Sequence, residues 1–207
     1  MKTIVYIDGF NLYYGAVRGT PYKWLDLAEV CRKLLPRHDV VGIKYFTARV
    51  AARPSDPDQP TRQQTYLRAL QTLPSIEVIF GHFLTTTVRM AVASCPPDAQ
   101  RYARVIKTEE KGSDVNLATH LVADGFRGRF EAAVLITNDS DLTEAVRIVR
   151  EELGLIVGIL NPHRHPSRQL LKHASFIKPI RKGVLASSQL PDELRDAHGE
   201  IRKPKSW

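Results

Sequence analysis

The sequence is poor in cysteine, with two in 207 residues, Cys31 and Cys95. Neither belongs to a Cys-x-x-Cys pair or has a histidine at metal-ligand spacing, so a zinc site of the usual kind is excluded. Cys31 lies in a helical pattern and is expected to be a small buried hydrophobic residue. A structural disulfide is not expected in a reducing compartment.

Long hydrophobic runs are also missing. No apolar run approaches the ~20 residues of a membrane-spanning helix. Asp8 interrupts the apolar stretch near the N-terminus before a signal-peptide core is reached. No Gly-x-Gly-x-x-Gly motif follows that stretch, which disfavours a dinucleotide-binding domain. We therefore expect a cytoplasmic protein with no membrane partner.

Basic residues are in clear excess. The formal net charge is +8, and the sequence pI is about 9.6. Residues 161–207 contain ten Lys or Arg against four Asp or Glu. This balance is typical of proteins that bind polyanions, although a basic face that is merely solvated is the alternative.

Short apolar segments rich in β-branched residues alternate with helical patterns along the chain. The patterns predict strands at 3–7, 40–46, 76–81, 132–137 and 155–160, and helices at 25–35, 61–73, 113–124 and 141–153. Such alternation predicts an α/β fold with a mostly parallel sheet flanked by helices. Three prolines within residues 53–60 predict a loop there.

Two further features lie outside this alternation. Residues 84–90 and 101–108 alternate in polarity and predict a β-hairpin arm, at about 84–108, on a domain of residues 1–182. Residues 183–207 are predicted to form a C-terminal extension, a short helix and then an extended segment, packed on that domain. Trp207 is compatible with an anchored end or with a frayed terminus.

Four aspartates stand where strands end or a helix begins. Asp8 follows the first strand, Asp139 and Asp141 follow the strand at 132–137, and Asp114 opens the helix at 113. Functional groups of open parallel sheets gather beyond the carboxyl ends of the strands, so we expect these carboxylates to converge on one edge. Crowded carboxylates repel one another unless a cation compensates them. The hard, oxygen-seeking ions Mg²⁺ and Mn²⁺ fit such a donor set.

Each aspartate also has a structural interpretation. Asp141 with Glu144 has the spacing of a capping box, and Ser113 is placed to cap the helix that Asp114 begins. Asp8 before Gly9 is placed as a turn residue. Capping and metal binding are compatible, because a helix N-terminus favours a carboxylate in any case.

Three segments resemble, in order, the three motifs of the NYN domain family, whose members are LabA-like proteins of the PIN-like nuclease superfamily: IVYIDGFNLYY, EEKGSDVNLATHLV and VLITNDSDLTEAVRIVRE. The resemblance spans residues 2 to about 161. It implies a PIN-like three-layer α/β/α sandwich and metal-dependent ribonuclease activity. It also implies that the catalytic, metal-binding cluster is formed by Asp8, Asp114, Asp139 and Asp141.

The resemblance implies supporting roles for Asn11 and for the residues around the acidic pair. Family members usually have a small residue and glycine before this pair, whereas this chain has Asn138, with Ser140 between the two acids. Asparagine tolerates left-handed backbone angles, as glycine does, so we expect the site to be retained.

A ribonuclease needs cations beside its acidic centre, because the phosphate backbone supplies most of the affinity. Candidate substrate-binding residues come from three places in the sequence. Lys111 precedes Asp114, and Arg49, Arg53 and Arg62 follow the strand at 40–46. The basic loop at 161–169 contributes His163, Arg164 and Arg168. Tyr13 and Tyr14 are candidates for stacking on bases. Ordinary surface or core positions are the alternative for all of them.

The sequence therefore predicts a ribonuclease that depends on Mg²⁺ or Mn²⁺ and acts on single-stranded or structured RNA. A homodimer is a candidate assembly. A non-catalytic RNA-binding or regulatory module, whose aspartates only cap helices, is the main alternative. A metal-dependent phosphatase is disfavoured because no second acid follows Asp8 in the required Asp-x-Asp spacing. A topoisomerase-primase-like domain is disfavoured because no glutamate follows the first strand.

Overall fold

The structure, a computed structural model, describes residues 1–94 and 100–207. Its strands are β1 (Lys2–Asp8), β2 (Asp39–Thr47), β3 (Ile76–Phe80), β4 (His82–Ala91), β5 (Tyr102–Lys111), β6 (Ala132–Ile136), β7 (Ile156–Asn161), β8 (Phe176–Pro179), β9 (Glu193–Asp196) and β10 (Gly199–Arg202). Its α-helices are α1 (Gly9–Leu12), α2 (Leu27–Leu34), α3 (Gln59–Gln71), α4 (Ser113–Phe126), α5 (Thr143–Arg147), α6 (Arg168–His173) and α7 (Lys182–Ala186).

The central sheet has six strands in the order β3-β2-β1-β6-β7-β8, and every neighbouring pair is parallel. The five predicted strands are confirmed. The sequence analysis missed β8, which lies at the sheet edge. Its four residues include Lys178 and Pro179, and proline is tolerated there because an edge strand needs fewer backbone donors.

Apolar side chains of β1 point alternately to the two faces of the sheet, as strand geometry requires. Val5 and Ile7 belong to a core with residues of α2 and α3. Ile4 and Tyr6 belong to a second core with residues of α4 and α5. Helices therefore cover both faces, and the predicted three-layer α/β arrangement is confirmed.

The helix predicted at 141–153 is not one regular helix. It consists of a 3₁₀ turn (Ser140–Leu142), α5, and a π-helical turn (Ile148–Glu152). A second π-helical turn, Tyr13–Val17, follows α1 directly. Such local changes of winding are frequent near functional sites. The sequence analysis missed α1 and α6, which are too short to show a helical period.

The predicted hairpin is present and longer than expected. β4 and β5 pair in antiparallel register from His82–Lys111 to Ala91–Tyr102 as a two-stranded sheet of their own. The predicted connection between them includes residues 95–99, with Cys95, which lie outside the described residues. Most side chains of the arm are exposed.

The residues after α7 pack against α3 and against Trp24, which precedes α2. The indole of Trp24 donates to the main-chain oxygen of Pro191 at 2.7 Å, and Arg68 makes a bidentate ion pair with Asp196. Trp207 packs edge-on against Trp24. A division of the chain into residues 1–182 and an extension stays a prediction. Within the described residues, no helix combines the length and apolarity needed to cross a membrane.

Candidate metal centre

The order of the central strands reverses between β1 and β6, and this reversal sets the position of the acidic residues. β1 and β6 are neighbours in the sheet, although 123 residues separate their ends. Ligand sites of open α/β sheets lie beyond the strand ends at such a switch point. Asp8 ends β1, Asp139 follows β6, and α4 begins beside them with Ser113 and Asp114.

Three of the four predicted aspartates meet at this point. Asp8, Asp114 and Asp139 each offer a carboxylate oxygen, and the three oxygens lie within 4.8 Å of one another. Asp8 is 5% exposed, and the other two are half-buried. Three hard oxygen donors at this spacing match what a divalent cation such as Mg²⁺ or Mn²⁺ requires.

The pKa values show how unfavourable this crowding is without a cation. Burial, reinforced by the charges of Asp114 and Asp139, raises the pKa of Asp8 to about 7 from 3.8, against hydrogen bonds from Asn11 and Thr137. Burial and the charge of Asp139 raise the pKa of Asp114 to about 6. Smaller contributions to this rise in the pKa of Asp114 come from the charges of Glu110 and Asp141. A bound cation would reverse these shifts, so the site fits a metal electrostatically.

Two members of the cluster are also helix caps. The Asp8 carboxylate accepts a hydrogen bond from the Asn11 N–H at 2.9 Å, and Asp139 accepts one from the Asp141 N–H at 3.0 Å. The capping box of Asp141 with Glu144 is therefore wrong, because Asp139 occupies the cap position. Ser113 is not the cap of α4 either, since Gly112 stands there with a left-handed φ of 92°.

Asp141 lies outside the group of three. Its side chain is exposed, although it is near enough to raise the pKa of Asp114. Ser140 is exposed as well and begins the 3₁₀ turn. Their predicted roles in catalysis and support stay predictions.

Asn11 links the first and third motifs to the basic loop. Its side-chain oxygen accepts the main-chain N–H of Asn138 at 2.9 Å and lies 3.0 Å from Nε2 of His163. The amide of Asn138 donates to the His165 carbonyl at 3.0 Å and accepts the Ser167 N–H at 2.6 Å. Every described residue with positive φ is glycine, so Asn138 acts through its side chain and the expected left-handed backbone is wrong.

Thr137, which the sequence analysis did not place in the site, and Glu110 also lie there. The buried Thr137 hydroxyl donates to Asp8 at 3.2 Å and accepts the Asp139 N–H at 3.1 Å. Glu110 lines the pocket and accepts the Ser113 N–H at 3.1 Å. The only sequence signal for Thr137 was its position between a buried strand and the acidic pair.

The predicted cations divide into two groups. His163 and Arg53 line the acidic pocket. The others lie elsewhere: Arg49 contacts Gln64 and stacks on Phe80, Arg62 pairs with Asp56, Lys111 pairs with Glu109, and Arg164 and Arg168 are exposed in the basic loop and α6. Their contact with a substrate stays a prediction.

A cavity of about 400 Å³ adjoins the acidic pocket, and Phe10, Tyr14 and Val50 line both. The cavity walls carry aromatic rings and polar groups, among them Tyr13, Tyr45, Tyr66, Trp207, Lys23 and Gln63. The volume of this cavity is within the usual range of small-ligand sites.

The NYN domain model matches residues 2–181, nearly the whole chain. The protein belongs to the NYN domain family. NYN domains are part of the PIN-like nuclease superfamily, so the resemblance of the three motifs is confirmed. The family also supports, at the level of class, a nuclease-like enzyme with a nucleic acid substrate.

This NYN domain resembles a named relative and a solved structure. The first is the 6-hydroxy-3-succinoylpyridine 3-monooxygenase HspA of Pseudomonas putida, to which this chain is 35% identical. The match covers all of this chain and 75% of the relative. A crystal structure of a protein of unknown function from Vibrio parahaemolyticus superposes with a TM-score of 0.57 and 16% identity, covering 91% of this chain and 96% of that one. The second likeness concerns the fold alone.

Proposed function

We propose that this NYN domain is a ribonuclease that depends on Mg²⁺ or Mn²⁺. The observation that carries the proposal is the convergence of Asp8, Asp114 and Asp139, whose oxygens lie within 4.8 Å of one another. These residues come from three distant parts of the chain, so helix capping alone does not account for their meeting. The net charge of +8 suits a polyanionic substrate.

Asp8, Asp114 and Asp139 would hold the metal, and Asp141 would stand outside them at the mouth of the pocket. Such an ion, when bound, activates water and stabilises the developing charge on phosphate oxygens. The protein supplies the rest. Asn11 and Thr137 fix the orientation of the carboxylates, and Arg53 and His163 line the pocket where they would contact a phosphate.

The proposal is tested with isosteric variants. Asp8→Asn and Asp139→Asn each remove one charge and keep a side-chain oxygen that can cap, because asparagine is also a good N-cap. We expect both to lose Mn²⁺-dependent cleavage of a labelled single-stranded RNA and to lose saturable Mn²⁺ binding in calorimetry.

Asp26→Asn is the matched control. Asp26 caps α2 by accepting the Glu29 N–H at 2.9 Å, which is the same bond that Asp8 makes in α1, but it lies outside the acidic pocket. Cleavage and Mn²⁺ binding should be unchanged in this variant. Wild-type cleavage by both site variants, or RNA binding without cleavage by the wild type, would favour the non-catalytic RNA-binding module.

A second candidate function is binding of a small pyridine-type acid, as in the substrate named for the P. putida relative. The aromatic cavity beside the carboxylates favours it, since pockets of this size and lining suit planar rings. We expect 6-hydroxy-3-succinoylpyridine to quench the fluorescence of Trp207, and Lys23→Gln to weaken its binding. Nicotinamide, a neutral pyridine, is the control ligand. A binding curve that Lys23→Gln leaves unchanged rejects this candidate.

A further inference from the structure

The β4–β5 arm has one face that begins at the acidic pocket. Side chains alternate along each strand, and paired residues share a face, so the register assigns one set of side chains to it. This set is named the site face and consists of Phe83, Thr85, Thr87, Arg89, Ala91, Tyr102, Arg104, Ile106, Thr108 and Glu110. Observed contacts agree, because the hydroxyls of Thr85 and Thr108 lie 3.0 Å apart.

The root of the site face is part of the acidic pocket. Phe83 and Glu110 line that pocket together with Asp8, Asp114 and Asp139, and the Phe83 ring packs edge-on against Phe10 at 5.8 Å. Gly81 makes this close approach sterically possible. A Cβ there would meet the Lys111 carbonyl at 2.6 Å and the Ser113 N–H at 2.8 Å. The arm is therefore held firmly against the start of α4.

The far end of the site face is basic and aromatic. Arg89 lies opposite Arg104, and its guanidinium is 4.6 Å from the centre of the Tyr102 ring. Arg89 is six residues beyond Phe83, so it stands about 20 Å from the pocket at the usual rise of an antiparallel strand. Residues 84–94 and 100–108 contain four Lys or Arg and no Asp or Glu.

We propose that the site face of the arm is a docking surface for single-stranded RNA and leads the strand into the acidic pocket. The proposal rests on the proposed ribonuclease function. Arg89 and Arg104 contact backbone phosphates, and Tyr102 offers a ring on which a base stacks, the combination by which proteins hold single strands. Thr85, Thr87 and Thr108 lie on the site face between the two arginines and the pocket. Their hydroxyls are further hydrogen-bond donors to phosphate or ribose.

The opposite face of the same hairpin supplies a control with equal charge. Lys107 lies there, in an ion pair with Glu109 at 2.8 Å. The main chain of Arg101 still pairs with Val92, and alternation with Tyr102 places Arg101 on that face too. The variants are therefore Arg89→Gln/Arg104→Gln for the site face and Arg101→Gln/Lys107→Gln for the other. Both lower the net charge of the arm by the same amount.

The experiment measures binding of a fluorescent single-stranded RNA in EDTA at several salt concentrations. The RNA has about 12 nucleotides, which is within the usual site sizes of single-strand binders. Loss of two phosphate contacts should flatten the slope of log K against log salt by about 1.4. We expect this change for the site-face pair and no change for the control pair. Equal slopes for the two variants, whether both altered or both unaltered, would overturn the proposal.

Cleavage of a dinucleotide with Mn²⁺ separates this proposal from the proposed function. A dinucleotide reaches only the pocket, so the wild type and both double variants should cleave it equally. If none of them cleaves it, the ribonuclease proposal fails, while the salt slopes in EDTA still decide whether the arm binds RNA. Reduced dinucleotide cleavage in the site-face variant alone would contradict a docking role remote from the pocket.

Discussion

The side-chain oxygen of Asn11 accepts the main-chain N–H of Asn138 at 2.9 Å. This single bond ties α1, which Asp8 caps, to the segment after β6, which carries Asp139. The geometry of the candidate metal centre therefore depends on a residue that need not touch a metal. The same oxygen also holds His163, which lines the pocket.

Asn11→Ala should weaken Mn²⁺ binding by about ten- to a hundredfold, because residues that orient metal ligands have effects of this size. The folded state should lose about 1–3 kcal/mol, because the variant leaves the Asn138 N–H without its acceptor. Calorimetric Mn²⁺ titration and urea unfolding measure the two effects. Asn116→Ala, which removes a single bond to the Phe80 carbonyl, is the control. Equal Mn²⁺ affinity in the two variants would contradict the role of Asn11.

Thr137→Val should produce a similar loss by a different route. Its hydroxyl is buried and bridges Asp8 and the Asp139 N–H, so valine leaves that N–H without its partner at a cost of about 1–3 kcal/mol. Thr137→Ser keeps the hydroxyl and should retain Mn²⁺ affinity. Thermal unfolding and Mn²⁺ titration of the two variants measure these effects. A serine variant that loses as much Mn²⁺ affinity as the valine variant would contradict the role of the hydroxyl.

The stability that Asp8 contributes to the metal-free protein should be lost as the pH rises between about 4 and 7. The pKa of Asp8 is raised to about 7 in the folded protein from 3.8, so the folded state holds a proton that the unfolded chain releases. The stabilisation is complete below the unfolded pKa and is lost as the pH passes the folded one. At about 1.4 kcal/mol per unit, it is on the order of 4 kcal/mol.

The matching measurement is the difference between wild type and Asp8→Asn in urea unfolding from pH 5 to 8 with EDTA. The difference is needed because His38 and His120 have lowered pKa values and act in the opposite direction below their ordinary pKa. The wild type should gain relative stability at the acidic end. Mn²⁺ should stabilise it most at pH 8, since a metal needs ionised ligands. A pH-independent difference would refute the raised pKa.

Asp124→Asn should destabilise the fold without changing the metal centre. Asp124 is 1% exposed and pairs with Lys44 at 2.5 Å, with Tyr6 and with Arg129. Burial alone would raise the pKa of Asp124, but the hydrogen bonds from Lys44 and Tyr6 hold it below its ordinary value. Removing one partner of a buried pair costs about 3–5 kcal/mol.

Urea unfolding should show this loss, whereas Mn²⁺ affinity of the folded variant at low temperature should match the wild type. The network lies on the α4 side of the sheet, away from the strand ends that carry the acidic cluster. A loss below about 1 kcal/mol would mean that the asparagine amide replaces the charge in this network.

Much of the fold could be read from the sequence because its central strands are buried on both sides. Five short runs of β-branched residues identified β1, β2, β3, β6 and β7, and the helical patterns between them required parallel pairing. The three motifs identified the family. The sequence analysis missed α1, α6 and β8 because they have only four to six residues. Segments of this length are too short to show a helical or strand period.

The acidic site was only partly predictable for a related reason. The positions of Asp8, Asp114 and Asp139 next to strand or helix ends indicated an edge of the sheet. The exclusion of Asp141 from the group of three could not be foreseen, because it depends on the direction of one turn after β6. Thr137 was missed because, apart from its position before the acidic pair, it carried no pattern that distinguished it from other threonines.

The sequence alone determined the α/β class, the family and the acidic residues, because hydrophobic periodicity and local motifs are properties of neighbours along the chain. The tertiary structure decided which of those residues meet. It placed β6 beside β1, more than a hundred residues away in the chain, and it folded the start of β4 against the start of α4. No local signal encodes either contact. The pKa values, the hydrogen bonds of Asn11 and the site face of the arm all follow from that packing.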